Sequence, residues 1–142
     1  MYFLKKGTNP EYIQELIDYL YSTAQKDTDK QVFKWKSVLN EKQKKCYNIA
    51  LSHGMSSIVI FLSRVINSGA ADEKIMEMLF GTVNYILAQE IDFEHYGCCF
   101  PSQSLETSSP VSRSRMGWCY GDLGIGIALR QAEKAIKGTP IN

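Results

Sequence analysis

No stretch of this sequence approaches the roughly twenty consecutive apolar residues that a membrane-spanning helix needs, so membrane insertion is not expected. The amino terminus lacks the order of an export signal. Tyr2, Phe3 and Leu4 precede Lys5 and Lys6, the reverse of a basic segment followed by an apolar one. An excess of one charge is missing too: 16 basic residues face 15 acidic ones across 142 positions, for a net charge of +1. That balance leaves no electrostatic footprint for nucleic acid. The nearest thing to a basic run, Lys42, Lys44 and Lys45, is interleaved with Gln43 behind Glu41 and reads as a solvated segment. Cysteine is sparse and irregular. Cys46, Cys98, Cys99 and Cys119 set out no disulfide framework, and neighbours such as Cys98 and Cys99 rarely bond because the geometry is strained. Four reduced thiols in a cytoplasmic protein are the expectation.

What is present is the composition of a globular chain, 44% hydrophobic and 22% charged, which predicts a packed core. Thr8-Asn9-Pro10-Glu11 announces the first helix, over 8–25: Thr8 or Asn9 caps, Pro10 suits the first turn and Glu11 complements the dipole. Ile13, Leu16, Ile17 and Leu20 then form one buried stripe. Val32 to Lys36 alternates and is β-prone, so a short strand is placed within 31–37, with Phe33 and Trp35 on one face. Two helices, 54–68 and 72–90, are separated by a turn at Gly69 and form an antiparallel hairpin. The first buries Met55, Ile58, Val59, Leu62, Val65 and Ile66. The second buries Ile75, Met78, Leu79, Val83, Ile86 and Leu87. Over 92–117 the helical period vanishes, serine and threonine accumulate, and Pro101 and Pro110 interrupt, so a long loop is expected, with a strand at Cys98 to Phe100. Loops of this length usually serve a site or a partner. A last helix over 121–137 buries Ile125, Ala128, Leu129, Ala132 and Ile136 and ends at Gly138-Thr139-Pro140.

Two glycine-flanked polar sites interrupt the apolar pattern, Ser52-His53-Gly54 and Trp118-Cys119-Tyr120-Gly121, and each stands at an expected helix start. Unpaired backbone N–H groups and the positive dipole end favour a thiolate at Cys119 and a neutral, proton-accepting imidazole at His53. Arg115, four residues before Cys119, brings a fixed positive charge that suits a thiolate or a reacting anion. Spacing alone also allows a plainer reading and favours it: His53 as a capping or core histidine, Cys119 as a buried thiol, Arg115 as surface charge. His95 with Cys98 and Cys99 forms a second local cluster, but adjacent cysteines chelate one tetrahedral ion poorly. Gly121, Gly124 and Gly126 lack a preceding strand, so they read as close-approach glycines rather than a phosphate loop.

Asn48-Ile49-Ala50-Leu51-Ser52-His53-Gly54 is similar to the Ala/Ser-His-Gly motif of the lanthionine synthetase C-like (LanC) family. Arg115-Met116-Gly117-Trp118-Cys119-Tyr120-Gly121 resembles that family's highly specific Arg-x-x-Trp-Cys-Tyr-Gly motif. The resemblance runs from about Trp35 onward. It implies a mostly α fold, a sector of an α/α toroid built from helical hairpins with one or two short β segments, and so a single partial domain over 1–142. In the cyclases, zinc held by two cysteines and a histidine activates a peptide thiol, which adds to a dehydrated residue to close a thioether ring; the ion acts as a Lewis acid. By residue-to-residue match, the resemblance implies Cys119 as a zinc ligand, His53 as the proton-transfer residue and Arg115 as support for the reacting charge.

The departures are as informative. The family's remaining ligands come from a downstream Cys-His-Gly motif, and no such motif occurs here; an acidic site residue from an upstream segment is likewise not found. Leu123 stands where many members have proline, and Ser57 where many have glycine. The resemblance therefore implies an internal slice of a cyclase, inactive alone and binding no zinc by itself. Its expected partners are a dehydrated peptide and either a second polypeptide that completes the ring or further copies of itself. The other reading is a non-catalytic peptide-binding or scaffold module, whose uncovered apolar faces favour self-association.

Overall fold

Pro10, whose ring presets a helical φ, opens helix α1, Pro10–Thr23, in a computed structural model of the protein that describes residues 10–37, 46–107 and 109–138. The cap expected at Thr8 or Asn9, the Lys42, Lys44 and Lys45 segment and the stop at Thr139-Pro140 lie outside the described residues. Of the expected α1 stripe, Ile17 is fully buried and Ile13 and Leu20 partly so, but Leu16 is 53% exposed. Full burial of one such side chain stabilises by about 1.5–3 kcal/mol, so Ile17, with Ile13, Leu20 and Tyr21 packed against the core beside it, anchors α1. Asp18 accepts from Lys74 Nζ at 2.7 Å, Tyr21 donates to Glu77 at 3.0 Å, and Trp35 Nε1 donates to the Leu20 carbonyl at 2.9 Å.

The chain leaves α1 earlier than the sequence implied and pairs as a hairpin: β1, Gln25–Asp27, runs antiparallel to β2, Val32–Lys34, in the register Lys26 to Phe33. Polar Gln25 to Asp27 has no apolar alternation to mark it as a strand; what holds it is its partner, whose Val32 and Phe33 are buried. Helix α2, Met55–Asn67, and helix α3, Glu73–Leu87, follow. Asp72 caps α3 by accepting from the Ile75 N–H at 2.7 Å, satisfying a donor that no carbonyl reaches. A single turn, α4, Phe93–Tyr96, precedes the irregular segment, and α5, Asp122–Gly138, closes the described chain.

Helix α2 lies at the centre, packed against both α3 and α5, while α3 carries β2 and α1 on its far contacts. Val59, Leu62, Val65, Met78, Leu79, Ile86 and Ile125 are fully or almost fully buried between them. The α2–α5 contact is lined by small residues, Ser56 and Ser63 on one side and Gly124, Ala128, Ala132 and Ala135 on the other, all buried. Both serine hydroxyls are satisfied within their own segment, by the Ile49 and Val59 carbonyls, so the close seam carries no unpaired polar group.

The segment expected as an open loop over 92–117 is tied down, and Cys98 to Phe100 forms bends rather than a strand. Pro101 bridges Arg113, and the Ser102 N–H donates to the Ser112 carbonyl at 2.8 Å. Ser104 is buried between Tyr85, at 2.6 Å, and Gln89, at 3.1 Å. Burial pushes the Tyr85 hydroxyl well above its ordinary value, so this network stays neutral. Lys34 meets Glu106 at 2.6 Å over the same site.

Candidate functional site

The start of α2 is shaped by Asn48. Its carbonyl accepts from the Met55 N–H at 2.9 Å and its Oδ1 accepts from the Ala50 N–H at 2.8 Å, which folds the chain from Asn48 to Gly54 back over the helix end. His53 sits on the crest of this turn, exposed. Beside it opens a recess of about 150 Å³ bordered by Trp35, Asn48, Met55 and Ile58. Ligand cavities usually run from about 300 Å³ upward, so this one has room for a side chain, not a whole small molecule.

The start of α5 is built by a second reversal. The Arg115 carbonyl accepts from Gly117 N–H at 2.7 Å and from Asp122 N–H at 3.3 Å, and Arg115 bridges Gly121 in parallel sense, so Met116 to Tyr120 project as a compact loop. There is no room for a side chain at its base: a Cβ on Gly121 would fall on the Arg115 carbonyl, and one on Gly124 would meet the Trp118 carbonyl and come within 2.9 Å of Leu51 Cβ. These glycines therefore serve close backbone approach, the second of them between the two motifs.

The motifs touch. Ser52 N–H donates to the Cys119 carbonyl at 3.2 Å, and the His53 and Tyr120 rings lie 6.0 Å apart between centroids, tilted by 40°. Cys119 is exposed, which overturns the reading of it as a buried thiol. Around it stand Met116 at 75%, Trp118 at 56% and Tyr120 and Leu123, also exposed, an apolar collar around a thiol and an imidazole. Arg115 is exposed as well, and no hydrogen bond joins its guanidinium to Cys119 among the described residues; it contributes to the site through its backbone.

One residue that the sequence reading passed over holds the third side. Asp122, the first residue of α5, accepts from the Cys99 N–H at 2.7 Å and the Phe100 N–H at 3.0 Å, with the Ser114 hydroxyl at 3.4 Å. Its carboxylate thus staples the irregular segment to the α5 start. The available signal was an acidic residue in a first helical turn, where the dipole favours it. The remaining thiols are of a different kind. Burial pushes the Cys46 thiol up, and Cys99 is raised by burial first and then by the Asp122 carboxylate. Cys98 is buried, and His95 packs on the Tyr96 ring at 4.5 Å.

Among the described residues no group of three or more His, Cys, Asp or Glu side chains is gathered to hold a metal ion. A tetrahedral zinc site wants four donors, and the described residues do not gather such a set.

Backbone pairing thus brings together two exposed turns at adjoining helix starts, one carrying a thiol and the other an imidazole. The family model for lanthionine synthetase C-like protein matches residues 1–141, and the chain belongs to that family. No curated protein and no solved structure matches it. The mostly helical fold with one short two-stranded sheet agrees with that membership. Among the described residues no helix is long and apolar enough to cross a membrane.

Proposed function

We propose that the chain is a sector of a cytoplasmic lanthionine-forming cyclase of the toroidal kind, which presents Cys119, His53 and Arg115 to a dehydrated peptide and is inactive until donors from another polypeptide complete the zinc site. The observation that carries this reading is the Ser52 N–H to Cys119 carbonyl bond, because it places both family motifs on one surface. In the reaction a peptide thiol sulfur bonds to the β-carbon of a dehydroalanine or dehydrobutyrine, the double bond's electron pair moves to the α-carbon, and a proton is delivered there. The exposed imidazole of His53 is placed to move that proton, and the recess beside it accepts one neighbouring side chain of the peptide. Met116, Trp118 and Tyr120 hold the apolar part of the chain and keep water from the reacting carbon.

Cyclisation leaves the peptide mass unchanged, so the assay counts thiols: peptide is incubated with this chain and the completing polypeptide, then treated with a maleimide and weighed by mass spectrometry. The wild-type mixture yields unalkylated peptide, while Cys119→Ala and His53→Ala yield fully alkylated peptide with helical circular dichroism intact. Cyclisation that proceeds equally well without this chain, or with both variants, rejects the proposal. The exposed collar favours a second reading, a peptide-binding module without chemistry; it predicts that peptide binding survives Cys119→Ala and is lost with Trp118→Ala.

A further inference from the structure

Two helix faces that play no part in the Cys119 site are complementary to each other. On α1, Tyr12, Leu16 and Tyr19 are spaced four and three residues apart, which places them on one face, and they are 61%, 53% and 65% exposed. Glu11, Glu15 and Asp18 border that face, and Pro10–Thr23 contains no lysine, arginine or histidine. On α5, Leu123, Arg130, Lys134 and Lys137 share one exposed face, at spacings of seven, four and three. Arg130 and Lys137 both pair with Glu133, Lys137 at 2.6 Å, which leaves Lys134 as the cation of this face not engaged by that carboxylate. One face is apolar with an acidic border; the other is basic with an apolar residue at one end.

We infer that a second copy of this chain covers these faces, head to tail, with the α1 face of one copy against the α5 face of the next. The charges left over by the internal pairs decide the pairing. Lys74 already engages Asp18, and Glu133 engages Arg130 and Lys137, so two α1 faces brought together would set Glu15 against Glu15 and two α5 faces Lys134 against Lys134, whereas α1 on α5 opposes Glu15 to Lys134 and lets Leu16 pack near Leu123. The two helices rest on different supports, α3 for α1 and α2 for α5, so each copy offers one face of each sort. Such a heterologous contact propagates, closing into a ring if the rotation allows and otherwise continuing as a filament. The inference is independent of any chemistry at Cys119.

Sedimentation velocity on the full chain, over a range of concentration and salt, tests it with Leu16→Glu and Lys134→Glu. The wild type should exceed the mass of one chain with rising concentration, and each variant should raise the apparent dissociation constant at least about tenfold. Mixed one to one, the variants should form a species of two chains and no larger, because only the intact α5 face of the first meets the intact α1 face of the second. The double exchange Glu15→Lys with Lys134→Glu should recover association. A wild type that stays monomeric throughout overturns the inference. So does Lys134→Glu associating like the wild type, or a mixture of natively helical variants that does not associate.

Discussion

Alanine at position 124 and alanine at position 126 should have opposite effects, although both positions lie in α5 and are two residues apart. Glycine inside a helix is less favourable than alanine by about 0.8–1.0 kcal/mol, so propensity alone predicts that both substitutions stabilise. At Gly126 nothing stands within 4 Å of an added Cβ, and the full gain should appear. At Gly124 the new methyl would overlap the Trp118 carbonyl and approach Leu51 Cβ to 2.9 Å. Neither neighbour is the far end of a flexible chain. Overpacking of this sort costs about 1–3 kcal/mol, and the upper part of that range applies where backbone must move. The net for Gly124→Ala is then a loss of about 1–2 kcal/mol, and the two variants should differ by about 2–3 kcal/mol. Urea unfolding followed at the helical circular dichroism band reads this directly. With a slope of about 2 kcal/mol per molar, the two midpoints should sit more than about 1 M apart, Gly126→Ala the higher. Because Trp118 and Leu51 belong to the two motif segments, Gly124→Ala should also weaken any activity of a reconstituted cyclase more than Gly126→Ala does. If Gly124→Ala proves as stable as the wild type, the close seating of α5 under the Trp118 carbonyl is wrong.

Further outcomes follow from the same geometry. In a maleimide time course under native conditions, Cys119 should be modified first, with Cys46 and Cys98 protected until urea unfolds the chain, and peptide mapping identifies the order. Replacing Asp122 by alanine removes a carboxylate that accepts two backbone N–H groups, and denaturant unfolding should show a loss of roughly 2–3 kcal/mol, with Asp122→Asn intermediate. Lys137, then Arg130, holds the Glu133 carboxyl down to about 2 from its ordinary 4.5. A lowered folded-state value means that its contribution to stability is complete above the unfolded value and is lost as pH falls toward about 2, so an NMR titration of the Glu133 side chain should place its midpoint well below that of an unpaired glutamate. Lys137→Ala should move that midpoint upward.

The helices were readable because apolar residues recur at helical spacing and because single residues mark their ends: Pro10 opens α1, Asp72 caps α3, and Gly54 and Gly69 bracket α2. The motif residues were readable as types, and His53 and Cys119 do lie on adjoining turns. What spacing does not carry is tertiary pairing. Gln25 to Asp27 is polar throughout and becomes a strand only because β2 accepts it, so α1 stops at Thr23, short of the expected residue 25. Leu16 fits the α1 stripe by period yet stands out of the core, since period fixes a face but not the width of what covers it. Tyr85 was passed over for the opposite reason: its burial depends on Ser104 across the chain. The same is true of Asp122, whose partners at Cys99 and Phe100 lie more than twenty residues upstream in a segment without pattern.

The bond from Ser52 to Cys119 joins residues 119 − 52 = 67 positions apart, and no short loop of the chain contains both motifs. Closing so long a loop has an entropic cost that local helix formation does not repay, and contacts of large sequence separation slow folding. The hairpin of α2 and α3 can form from neighbouring residues, but the two motif segments meet only when α5 docks on α2. Collapsed or partly folded forms of the chain therefore hold the Cys119 turn remote from His53. The surface that carries both motifs is thus absent early in folding, and appears together with this long-range contact.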